Sequence, residues 1–274
     1  MKGLAIKSID VRQTRHLRGV GAETFVEDLT AQLSALTEQL MQRSPGTEFA
    51  HYLCSSTFDI VCSGSWFEPK NLCHELTQET GITTSYSNAM QCASWGSLLY
   101  QHLNHKPFCR DVILSIMDAN PLDMRFWDEN QSWGNTSHRL TQIHVHIPES
   151  VDVSRPSSIL ELTRCNPDVI LYEYSAEIQR VAHRFNEHTI CLPYFESKMR
   201  KGLKRTLRDF PHVPDQYEQY GHVCGSDPWI SVVTDHQKGA AQNKQYLLSS
   251  LASHGYVCFL SAYTTPDTYI NLEE

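Results

Sequence analysis

At 274 residues with 41% hydrophobic content, the chain is long enough to bury a substantial core, as one large domain or two closely joined halves. A net charge of -8 argues against a nucleic-acid surface, and no run approaches the roughly 18 apolar residues of a membrane span. Residues 1–20 are too polar for a signal peptide, so the nine cysteines, scattered without a small-domain framework, are expected as reduced thiols in the cytoplasm.

Phe25, Leu29, Leu33, Leu36 and Leu40 recur on one face and predict an amphipathic helix over 25–42, closed by Ser44-Pro45-Gly46. Residues 49–54 read as a buried strand and 69–80 as a helix ended by Gly81. A short run over 82–86 leads to Met90-Gln-Cys92-Ala-Ser-Trp95, a turn of mostly small residues entering a helix that carries Trp95, Leu98, Leu99 and Leu103. Val112, Ile113, Leu114 and Ile116 mark a strand over 111–118. Over 139–147, Leu140, Gln142, His144 and His146 alternate with Thr141, Ile143, Val145 and Ile147, which predicts a strand with one wet face.

The segment 151–158 is the expected seam between two units, 1–153 and 154–274. Beyond it the pattern returns: helix 168–185, strand 189–192, helix 195–210, a turn at Tyr220-Gly221-His222, and a helix or apolar segment over 228–234. Strands 246–251 and 256–262 close the chain as a hairpin. Strands alternating with helices in two successive halves predict an α/β fold with a mixed sheet in each half.

Cys92 is the candidate nucleophile. A thiol at a helix N-terminus meets unpaired N–H groups and the positive end of the helix dipole, both of which favour thiolate. A buried structural cysteine is the alternative. Neither His144 with His146 nor Cys62 with Cys73 has the paired, tight spacing of a tetrahedral site, so no metal is expected. The chain carries no phosphate loop, dinucleotide fingerprint or Gly-x-Ser-x-Gly elbow.

In order and spacing these elements resemble the thiolase superfamily, specifically its β-ketoacyl-acyl-carrier-protein synthase III (KAS III) branch. Cys92-Ala-Ser-Trp95 is similar to the family's Cys-Ala-Gly-Phe nucleophile turn. Ile190-Cys-Leu-Pro193-Tyr194-Phe-Glu-Ser197 stands where the family has Pro-His-Gln-Ala-Asn, and Tyr220-Gly221-His222-Val-Cys-Gly-Ser where it has Tyr-Gly-Asn-Thr-Ser. Leu247-Leu-Ser-Ser-Leu-Ala-Ser-His-Gly255-Tyr is similar to its terminal hairpin and glycine turn. The resemblance runs from about Glu23 to the C-terminus. It implies a five-layer αβαβα fold of two related halves, dimerisation as a homodimer or with a ketosynthase homologue, and acyl thioesters of a carrier protein or coenzyme A as substrates, without a bound cofactor.

By position, the family's catalytic cysteine, histidine and asparagine become Cys92, Tyr194 and His222. Imidazole suits proton transfer near neutrality, whereas a phenol acts chiefly as a hydrogen-bond donor, so Tyr194 is expected to hold an oxyanion. The tryptophan and arginine that grip the coenzyme A nucleotide in such enzymes have no counterpart before Glu23. Two readings follow. In one, Cys92 accepts an acyl group and His222 assists its transfer; in the other, a non-catalytic subunit shapes the site of an active ketosynthase. Asp227, followed by Pro228, reads as a helix N-cap, and would orient His222 only if the turn folds back. Asp118 and the stretch from Trp127 to Trp133 fall where the family has a loop bordering the subunit contact, and read as interface or core. Lys198, Lys201, Lys204, Arg205 and Arg208 crowd one helix of an otherwise acidic chain, either as a solvated face or as a docking surface for an acidic acyl carrier protein.

Overall fold

The computed structural model describes residues 3–58, 62, 66–106, 108–131, 133–240 and 243–273. In chain order the main elements are β1 (Leu4–Gln13), α1 (Ala22–Arg43), β2 (Phe49–Cys54), α2 (Pro69–Thr80), β3 (Thr84–Tyr86), α3 (Ser94–His105), β4 (Asp111–Met117) and β5 (Arg139–His146). They continue with β6 (Leu160–Arg164), α4 (Ile170–Arg184), β7 (Thr189–Cys191), α5 (Ser197–Thr206), α6 (Asp227–Asp235), β8 (Gln245–Leu251), β9 (Tyr256–Tyr263) and β10 (Tyr269–Leu272).

The strands lie in the orders β3-β2-β4-β5-β1 and β7-β8-β9-β6. Each order contains a parallel pair, β2 with β4 and β7 with β8, followed by two antiparallel pairings. Short parallel rungs, Leu4 to Ala262 and Ala5 to Tyr263, join the two, and β10 lies parallel to β1 beside that junction.

Helices fill three layers around these sheets. On one outer face Phe25, Leu29 and Leu33 of α1 and Leu72 and Leu76 of α2 pack on Leu53, Met117 and Leu140. On the other, Tyr174, Ile178 and Val181 of α4 and Leu203 of α5 pack on Leu247, Val257 and Phe259. Between the sheets lie α3 and α6. Their Trp95 and Trp229 rings meet edge to face at 5.2 Å, in a core shared with Ile9, Leu114 and Ile143 of one sheet and Leu248 and Leu260 of the other. This is the expected five-layer αβαβα architecture. It places α3, which starts just after Cys92, between the two strand layers.

Three departures from the sequence expectations have physical causes. No strand is predicted over 4–13, yet β1 is central. An irregularity in its pairing with β5 between Ile6 and Ser8 breaks the two-residue period, so Ile6, Ile9 and Val11 are all fully buried. The predicted wet face of β5 is also absent. Strand β5 lies between β4 and β1 beneath α1, where Gln142 donates to Thr37 Oγ1 at 3.1 Å and His144 meets Asp111 at 2.8 Å. These bonds satisfy polar groups that burial would otherwise penalise. Finally, α5 begins at Ser197 because the Glu196 carboxylate accepts from the Lys198 N–H at 3.1 Å, and it stops at Thr206, short of the predicted 195–210.

Candidate active site

Cys92 sits in a single 3-10 turn, Gln91–Ala93, that runs directly into α3. Gln91 holds a φ of 45°, in the left-handed region that costs a non-glycine residue roughly 1–3 kcal/mol. The hydroxyl of Ser253, in the turn of the β8–β9 hairpin, donates to Gln91 Oε1 at 2.8 Å and ties that turn to the Cys92 loop. Strain of this kind collects where the surrounding structure imposes a functional geometry. Cys224, at φ 52°, is a second such residue, and it stands beside Cys92.

The Sγ atoms of Cys92 and Cys224 and a ring nitrogen of His222 all lie within 4.8 Å of one another. The His222 backbone is fixed from outside the turn: its N–H donates to the Asn135 carbonyl at 2.7 Å, and its own carbonyl accepts from the Ser137 N–H at 3.0 Å. Gly221, at φ 68°, permits this approach, since a Cβ there would stand 2.5 Å from the Asn135 oxygen.

Behind the imidazole, His222 Nδ1 lies 2.7 Å from Asp227 Oδ2 and 2.9 Å from the Tyr194 carbonyl. The Asp227 carboxylate also accepts from the Val223 N–H at 2.6 Å and the Tyr194 N–H at 2.9 Å. Asp227 therefore orients His222. The expectation that it caps α6 is corrected, because its oxygens turn back onto the preceding turn and strand end. With Nδ1 engaged, Nε2 is the nitrogen free to meet the thiols.

The electrostatics follow from this arrangement. The Cys92 thiol is held well below its ordinary range: Cys224 donates to it, and the His222 imidazolium and Ser56 hydroxyl add to an effect that outweighs burial. Burial opposes charge on His222, but the Asp227 carboxylate and Cys92 thiolate hold its imidazole well above the usual value. Cys224, donor to that thiolate and itself buried, is pushed well up. Burial raises Asp227 as well, against the opposing pull of His222 and the two amides. The two shifts run in opposite directions and favour a proton on His222 over one on Cys92, with Asp227 behind the imidazole.

Asp118, which the sequence leaves as interface or core, is fully buried near this pair. Its Oδ1 accepts from the Ser56 N–H at 2.6 Å and the Ser55 hydroxyl at 3.2 Å. Burial first, and the Cys92 thiolate second, push its carboxyl up to about 7. An unfolded chain gives up this proton in the ordinary carboxylate range, whereas the folded chain keeps it to higher pH. Its contribution to stability is therefore complete below that range and is lost as pH rises through about 7. The full effect is on the order of 4 kcal/mol. Asp118→Asn cannot ionise, and denaturant melts from about pH 4 to 8 should show a flatter stability profile for it than for the parent chain. Parallel profiles would mean that the carboxyl is charged throughout.

Cys92, His222 and Cys224 line a cavity of about 670 Å³. Phe126, Trp127, Trp133 and Phe195 supply its aromatic walls. Phe195 stacks on the His222 ring at 6.0 Å and 17°, and Trp127 stacks on Trp133 at 6.0 Å and 21°. Among the described residues lining it there is no aspartate, glutamate, lysine or arginine. Trp127 and Trp133 are therefore cavity wall.

Tyr194 is not brought to this site as a donor. Its ring is fully buried away from the cavity, with the hydroxyl 2.8 Å from Ser231 Oγ on α6, and only its backbone meets His222 and Asp227. On α5, Lys204 pairs with Asp215 at 2.7 Å, and Arg208, beyond the helix end, lies 3.6 Å from Asp209. Lys198, Lys201, Lys204, Arg205 and Arg208 are all exposed, and Met199 of α5 lines the cavity. The sequence reading missed Cys224, although its place two residues after His222 was a visible signal. It also missed Ser56, which carried none.

No protein-family model and no curated protein matches this sequence. Solved structures do match its fold. The acyltransferase ChlB3 superposes with a TM-score of 0.66 at 11% identity, over 97% of this chain and 99% of that one. A 3-oxoacyl-(acyl-carrier protein) synthase from Burkholderia xenovorans gives 0.66 at 8%, over 98% and 97%. AbyA1, a tetronic acid condensing enzyme, gives 0.62 at 9%, over 93% and 98%. The chain has the thiolase-like fold of the KAS III condensing enzymes along nearly its whole length.

Proposed function

We propose that the protein is an acyltransferase that receives an acyl group on Cys92 from a thioester and passes it to a hydroxyl or amine acceptor. The observation that carries this reading is the line Cys92–His222–Asp227, whose first two members line the cavity. The Cys92 thiolate attacks the thioester carbonyl, and the departing carrier thiol takes the proton from His222 Nε2. In the second half, neutral Nε2 removes the acceptor's proton as that group attacks the acyl-enzyme, and Cys92 leaves as thiolate. Asp227 keeps Nδ1 protonated and the ring in place throughout.

Decarboxylative condensation has less support. Of the two residues that stand where the family has its helper side chains, only His222 lines the cavity, whereas Tyr194 directs its phenol to Ser231. The apolar, aromatic walls suit an uncharged acyl group. Exposed Lys198, Lys201 and Arg205, on the helix that lends Met199 to the cavity, are suited to steer an acidic acyl carrier protein.

The test is intact-mass measurement of the chelator-treated protein with an acyl thioester. One acyl adduct is expected, absent in Cys92→Ala, and formed faster from a carrier-protein donor than from a short thioester. No adduct, with a ketosynthase homologue co-purifying, would replace this reading by that of a non-catalytic partner subunit.

A further inference from the structure

Acyl transfer needs one thiol, yet the structure sets two at the same nitrogen. We propose that Cys92, Cys224 and His222 form a binding site for a thiophilic divalent cation of the zinc class, which excludes acyl donors while it is bound. The donor set is two sulfurs and one imidazole, the combination that soft and borderline cations select over magnesium or calcium. In tetrahedral coordination, bonds of about 2.3 Å to sulfur and 2.0–2.1 Å to nitrogen put the donor atoms roughly 3.5–3.8 Å apart. Here all three lie within 4.8 Å of one another, so side-chain adjustments of about 1 Å close the set.

The surroundings provide what such a site requires. Asp227 holds His222 Nδ1 at 2.7 Å, the carboxylate–histidine arrangement that fixes the tautomer and turns Nε2 to the metal. Cys224 is held at a left-handed φ beside Cys92 by a turn whose backbone is clamped at His222. The fourth position opens on the 670 Å³ cavity, which Cys92, Cys224 and His222 all line, so water or a small ligand completes the coordination. Two thiolates and one neutral imidazole leave a bound divalent cation without net charge, which suits an aromatic, uncharged cavity. Binding releases the protons of the Cys224 thiol and the His222 imidazolium to solvent.

The experiment is titration of the chelator-treated, full-length protein with Co²⁺ as an absorbing probe, then with Zn²⁺. A single equivalent of Co²⁺ should produce thiolate-to-cobalt charge transfer and the intense visible bands of four-coordination, and Zn²⁺ should bleach both. Cys224→Ser should lower the charge-transfer intensity and weaken Co²⁺ affinity. Asp227→Asn, which keeps the ring environment nearly isosteric, should weaken it about 10–100-fold. Absence of charge transfer in the parent chain overturns the proposal, as does an unchanged band in a Cys224→Ser protein of native circular dichroism. The acyl-transfer reading fails separately: it is tested on metal-free protein by adduct mass, so a cobalt band without an adduct, or an adduct without a band, identifies which inference is wrong. If both hold, one equivalent of Zn²⁺ suppresses the adduct in the parent chain.

Discussion

His222→Gln should slow acylation of Cys92 by a factor of about 10²–10⁴, followed by intact mass over time in chelator-treated protein. Glutamine keeps hydrogen-bonding capacity near Asp227 but cannot give the departing thiol a proton. It also removes the positive charge that helps hold Cys92 as thiolate. The two losses are separable by alkylation, which needs thiolate but no proton donor. In the parent chain the iodoacetamide rate should stay high as pH falls well below the ordinary thiol range, because the Cys92 pKa is lowered. In the variant the Cys92 pKa rises, so the fall-off moves to higher pH, while hydrogen bonds from Cys224 and Ser56 keep part of the depression. An unchanged acylation rate would remove His222 from the chemistry. A slowed rate with an unchanged alkylation profile would leave it as proton donor alone.

Gly96→Val should cost about 1–3 kcal/mol of stability, read as a lower denaturation midpoint with little change in the denaturant slope. Gly96 lies in the first turn of α3, where the middle layer presses on β9. A Cβ built there would stand 2.5 Å from Cys258 Cβ and 2.8 Å from its Sγ. Cys258 is fully buried at the centre of the second sheet, so neither side can withdraw without opening the core that contains Trp95 and Trp229. Helix propensity alone would reward replacing the glycine, though β-branched valine only modestly. A neutral or stabilising outcome would therefore show that α3 does not need this close approach. The first turn of α3 also carries the Cys92 loop, so Cys92 alkylation should change together with stability.

Local pattern in the sequence carried much of the architecture. The leucine face of α1, the apolar runs of β2 and β4 and the Gly81 stop of α2 each follow from side-chain periodicity or backbone preference within the segment itself. Where that signal is broken, the element is lost to view. The irregularity after Ile6 hides β1, and the polar residues of β5 imitate a solvent face while finding partners inside.

The site divides along the same line. A cysteine in a turn of small residues, followed by an amphipathic helix, singles out Cys92 as a candidate from the sequence alone, because both the turn and the helix that follows it are built from its immediate neighbours. Which groups surround that sulfur was decided by the tertiary structure. Tyr194 turns its phenol to Ser231, Asp227 reaches back to His222 instead of capping α6, Cys224 donates to Cys92, and Trp127 and Trp133 wall the cavity. Each of these depends on the direction of a side chain where two sheets and the helices between them converge. Residue spacing along one chain segment contains no information about that direction.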